Sequence, residues 1–166
     1  MFSFRISFVL LAAIAGICSL LGYIVPLSAL AAAATLFLPR RAAWALAIVA
    51  FGLNQAVGFG LRGYPYTHST FLWGGVLGVA TLVAVAVVPP RKQQDLTLLH
   101  SGMAFVFSFA GFQTTLLLAT VWLGGWEANT AAILAKVLIA NAAWFVVCVG
   151  VCWFAGGVAK VRRARA

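Results

Sequence analysis

The chain has 166 residues, of which 64% are hydrophobic and 8% charged, and its mean hydropathy is +1.09. No water-facing surface tolerates that composition, so a soluble fold is excluded and lipid is the expected solvent. The net charge of +9 does not point to nucleic acid, because the eleven Lys and Arg residues fall in small groups between apolar runs and form no clustered face.

At about 20 apolar residues per crossing, this length accommodates about six helices joined by short loops. Runs bounded by Pro, Gly or charge predict spans at residues 6–24, 26–38, 42–61, 71–88, 98–123 and 131–158, forming one transmembrane domain over 1–166. The first run follows MFSFR and reads either as a signal peptide or as a retained helix. A retained helix is favoured, since the run continues past Ser19 to Ile24 without a small-x-small exit, and Ile17 before Cys18 spoils a lipoprotein cleavage box. The second run is short for a bilayer core of about 30 Å. It either borrows Tyr23 to Val25 or lies partly re-entrant against its neighbours, giving six spans or five plus a half-helix.

The third span carries Asn54 and Gln55 near its end, where a carboxamide is costly in hydrocarbon unless it meets a partner, a ligand or water. The following loop contains Tyr64, Tyr66 and His68, with Trp73 just beyond. An interfacial aromatic belt explains the rings but not Asn54, Gln55 and His68 together. After the fourth span, Asp95 in PPRKQQD reads as a solvated turn residue. The fifth span places His100, Ser101 and Ser108 in its first half, then Gln113, Thr114, Thr115 and Thr120. Lys136 and Asn141 lie in the first half of the sixth span. Lys136 either snorkels to the interface or joins a binding site, and Glu127 either pairs with it or caps its helix. Taken singly these polar residues are interhelical hydrogen-bond glue; as a set they favour a polar cavity at one end of the bundle.

Small residues recur four apart: Ala12 with Gly16, Ala15 with Ser19, Gly74 with Gly78, and Cys148 with Cys152. They permit close helix contact, and a stripe of them on the first helix is also what docking to another membrane subunit requires. Cys18, Cys148 and Cys152 sit inside apolar runs as small hydrophobes and give no disulfide framework.

Placed on six alternating spans, Arg5, Arg40, Arg41, Arg91, Lys92, Lys160, Arg162, Arg163 and Arg165 fall on one side, and only Arg62 falls in the opposite loops. The positive-inside rule then predicts both termini in the cytoplasm, with the cavity open to the outside. Two distant acids form no carboxylate pair, and the two histidines fall on opposite sides of the membrane and share no metal. There is no Walker A sequence either, so an enzyme is not expected.

With these features the chain resembles the S-components of energy-coupling-factor (ECF) vitamin transporters: about six helices, cytoplasmic termini, an outward pocket roofed by loops and a small-residue motif on the first helix. The segments NQAVGF and YPYTHSTFLWGG are most similar to the solitary cobalamin-type BtuM group. That resemblance implies a loop residue ligating the corrinoid cobalt. The usual ligand there is a cysteine, which this loop lacks, so His68 is the available donor; the alternative is an interfacial histidine bonding the loop backbone.

The expected fold is therefore an all-α integral membrane bundle of the S-component kind, in a bacterial inner (cytoplasmic) membrane. The expected function is capture of a vitamin-like small molecule, first of all cobalamin or a related corrinoid, for inward passage with separate coupling and ATPase subunits. Asn54, Gln55, Tyr64, Tyr66, His68, Trp73, Gln113 and Asn141 are the expected ligand-binding residues, with no intrinsic cofactor. The alternatives are a structural or assembly subunit of a membrane complex, or a small secondary permease, which normally uses a mid-membrane acid that this chain lacks.

Overall fold

The computed structural model describes residues 4–21, 25–90 and 97–164. Tyr23, Arg91, Lys92, Asp95, Arg165 and the side chains of Lys160, Arg162 and Arg163 lie outside the described residues. Among the described residues there are six α-helices and no strand: α1 (Phe4–Leu21), α2 (Leu27–Phe37), α3 (Arg40–Gly60), α4 (His68–Ala86), α5 (Leu98–Leu123) and α6 (Ala131–Ala164). All of them except α2 are long and apolar enough to cross a membrane.

The boundaries follow from local chemistry. Pro26 and Pro39 precede α2 and α3, where a missing N–H costs nothing, and Leu38 before Pro39 is extended at φ −115°, ψ 151°. The hydroxyls of Thr67, Thr97 and Thr130 accept from the backbone N–H of Thr70, His100 and Ile133, capping α4, α5 and α6. Gly124 and Gly125, at φ 77° and 89°, make the turn that ends α5.

The short second helix is the centre of the bundle. It touches all five long helices, which surround it in the order α1, α3, α4, α5, α6, with α5 and α6 meeting least. Its sequence, LSALAAAATLF, is apolar nearly all round, the pattern of a helix buried on every side. Alanines at 29 and 31 to 34, all buried, let the surrounding backbones approach closely. Helix α2 begins at Leu27 and takes no residue from Val25, so the chain solves the short-run problem by surrounding the helix rather than lengthening it.

Two cross-links hold it in register. The Ser28 hydroxyl donates to Asn141 Oδ1 at 2.7 Å, and Ser108 on α5 donates to the Ser28 carbonyl at 2.8 Å. Thus Ser108 and Asn141 do serve as interhelical glue. The small residues of α1 divide between roles: Ala15 and Ser19 face the core, while Gly16 has open space where a Cβ would stand.

Candidate functional site

Alternating helix directions bring the start of α2, the α3–α4 loop and the α5–α6 loop to one end of the bundle, here the Tyr64 end. At this end Arg62 donates to the Leu20 carbonyl, and the Gly125 Cα comes close to the Trp73 ring. At the opposite end, Arg40 donates to the carbonyls of Val88 and Ala86 at 2.8 and 2.9 Å and lies over the Trp44 ring. It thereby binds the C-terminal carbonyls of α4, where a cation also meets the negative end of the helix dipole.

Because α2 stops short, the Tyr64 end contains a cavity of about 280 Å³ above its first turn. Val25 and Leu27 form the floor. Asn54 enters from α3, Trp73 and Leu77 from α4, Phe112, Gln113, Leu116 and Thr120 from α5, and Ile133, Leu134, Val137 and Asn141 from α6. Tyr64 and Asn129 come from the loops. Tyr64 is held over the cavity by its backbone N–H, which donates to Gly58 O at 3.0 Å, and by its ring, which lies directly on Gly58 where any Cβ would overlap it.

Five of the eight expected binding residues therefore share one site: Asn54, Tyr64, Trp73, Gln113 and Asn141. Asn54 is 8% exposed and Asn141 is 3% exposed, although they lie on different helices far apart in sequence. The other three stand outside the lining. Gln55 is a 100° helical step from Asn54 and packs its side-chain oxygen against Gly74 between α3 and α4. Tyr66 is 74% exposed and lies tilted against Phe59 with ring centroids 5.3 Å apart. His68 is exposed at the first position of α4. Lys136 and Glu127 are also exposed, and neither lines the cavity.

The carboxamides of the site differ in use. Asn141 is spent on structure: its oxygen accepts from Ser28 and from the Ala29 N–H, and its Nδ2 donates to the Val137 carbonyl at 2.9 Å. Gln113 Oε1 and Asn129 Nδ2, by contrast, are buried without a hydrogen-bond partner. Buried polar groups are normally satisfied, and each one left unpaired costs about 1–3 kcal/mol. Ser7 Oγ and Gln55 Nε2 are likewise buried and unpaired outside the cavity, so Gln113 and Asn129 are distinguished by lining it.

Asn129 was absent from the sequence-predicted set, because an Asn beside Thr130 in a Gly-rich loop reads as turn chemistry. Thr120 was noticed as polar, and its hydroxyl donates within α5 to the Leu117 carbonyl at 2.7 Å.

Comparison with protein-family models, with curated proteins and with solved structures gave no match. The class is accordingly defined by the fold alone: a helical bundle with five helices able to cross a bilayer around one short buried helix.

Proposed function

We propose that this chain is a membrane-embedded capture subunit for a vitamin-like small molecule, which it takes into the cavity at the Tyr64 end. The observation that carries this reading is the cavity itself, closed below by α2 and walled by aromatic rings and carboxamides, two of which have a buried polar atom without a partner.

Arg5, Arg40 and Arg41 stand at the opposite end, and the six-span reading of the sequence assigns the basic residues at 91–92 and 160–165 to that side as well. Their bias supports that end, with both termini, as the cytoplasmic one, and the Tyr64 end as the outer one in a bacterial inner membrane. The chain carries no phosphate-binding loop of its own, so inward release is assigned to separate coupling and ATPase subunits, as in the ECF transporters it resembles.

The volume of about 280 Å³ lies just below the ≈ 300–1,000 Å³ usual for small-molecule pockets. A corrinoid needs the roof of Tyr64 and Trp73 to lift, with the exposed His68 imidazole offered to cobalt from the rim. Mass spectrometry of small molecules released on denaturing the purified protein tests the reading. A compound should be released from the wild type and be absent from Leu116→Trp, which fills the cavity; the same release from both proteins overturns capture at this site. Corrinoid absorbance that persists through purification and shifts in His68→Ala identifies cobalamin as the cargo.

A further inference from the structure

The cavity also restricts the chemistry of what it takes. Among the described residues, no Asp, Glu, Lys, Arg or His lines it. A charged molecule lodged there loses hydration without gaining a counter-charge, an arrangement that costs several kcal/mol in an apolar site. The first turn of α2, which forms the floor, does not substitute for a cation. Its Leu27 N–H donates to Val25 O at 2.8 Å, and its Ala29 N–H is turned to Asn141 Oδ1 at 3.4 Å.

What the walls offer instead is unmatched neutral hydrogen bonding. Gln113 and Asn129 line the cavity, and rotation of their side chains brings an unpaired acceptor and an unpaired donor, now buried, to a ligand; Asn54 adds a third carboxamide. A carboxamide carries donor and acceptor on neighbouring atoms, so its best complement is another group of the same kind. The rings of Tyr64, Trp73 and Phe112 face the same space and favour a flat partner. The geometry points to an uncharged, planar ligand bearing an amide, lactam or ureide edge, read by Gln113 and Asn129. This inference rests on the capture reading above.

Three probes of one shape and different charge test it: benzamide (neutral), benzoate (anion) and benzamidinium (cation), titrated into the purified full-length protein. Benzamide should bind at least about tenfold more tightly than either ion. Gln113→Met, which keeps the side-chain shape and removes the amide, should weaken benzamide about tenfold, the effect of one hydrogen bond of ordinary strength. Asn129→Leu should do the same and serves if Gln113→Met fails to fold. Binding of benzoate or benzamidinium as tightly as benzamide overturns the inference, as does binding by none of the three or an unchanged benzamide affinity in the variants. The capture reading is judged separately: a charged compound released from the wild type and missing from Leu116→Trp leaves capture standing and removes the neutral-ligand claim.

Discussion

The two ends of α2 meet opposite surroundings. Toward Phe37 the helix runs into the turn at Pro39, and Arg40 there ties α3 to the carbonyls of Ala86 and Val88, at and just past the end of α4, so these backbone groups are paired. Toward Leu27 the helix stops beneath open volume, with carboxamides whose polar atoms lack partners. Paired polar groups occur at both ends, and so do buried polar atoms without partners, Ser7 Oγ toward the Arg40 end and Gln113 Oε1 and Asn129 Nδ2 toward the Tyr64 end; the latter two belong to residues that line the cavity. The contrast is open to test by substitution.

The largest effect is expected at the middle of α2. Ala33→Phe puts a ring where the native side chain is completely buried, and overpacking should exceed the ~1–3 kcal/mol typical of small insertions. Loss of the folded monomer in detergent on size-exclusion chromatography is the measurement, and a variant that folds normally would break the picture of a tightly ringed helix. Next, Asn141→Leu strands the Ser28 hydroxyl and the Ala29 N–H and should cost about 1–3 kcal/mol, read as a lowered unfolding midpoint. Gly58→Ala should push the Tyr64 ring off the cavity. Labelling of Leu77→Cys by a water-soluble maleimide should then rise several-fold over the same cysteine with Gly58 intact. Arg40→Ala frees two carbonyls at the Arg40 end and should destabilise by about 0.5–1.5 kcal/mol, with no change in that labelling. The smallest and most diagnostic change is Gln113→Met without ligand. Removing a carboxamide whose buried oxygen has no partner should leave the unfolding midpoint unchanged or slightly raised, whereas a fall equal to that of Asn141→Leu would make Gln113 structural.

Much of the architecture was legible in the sequence, because lipid makes the signal simple. Prolines 26, 39, 89 and 90 and the glycine-rich stretch at 124–125 punctuate the apolar runs, and the helices fall within a few residues of the predicted spans. What composition alone did not disclose was the position of α2. A run of alanines reads as packing with no direction, and only the tertiary arrangement reveals that every side of it is covered.

The site was legible in part. Asn54, Tyr64, Trp73, Gln113 and Asn141 converge because each lies toward the same end of its helix or loop. Gln55 fails for a rotational reason, since neighbours on a helix point about 100° apart and Asn54 takes the inward direction. Tyr66 and His68 lie off the cavity lining, because the loop turns Tyr64 inward onto Gly58 and leaves Tyr66 tilted against Phe59 outside. Asn129 was invisible for the opposite reason: its residue type suits a turn so well that nothing called for a second role.

The brevity of α2 has a consequence for movement across the bundle. Eleven residues at about 1.5 Å each make a plug roughly 16 Å long, about half of a bilayer core near 30 Å. In the capture reading, a ligand on its first turn rests near the middle of the bundle, with only the length of α2 between it and the Arg40 end.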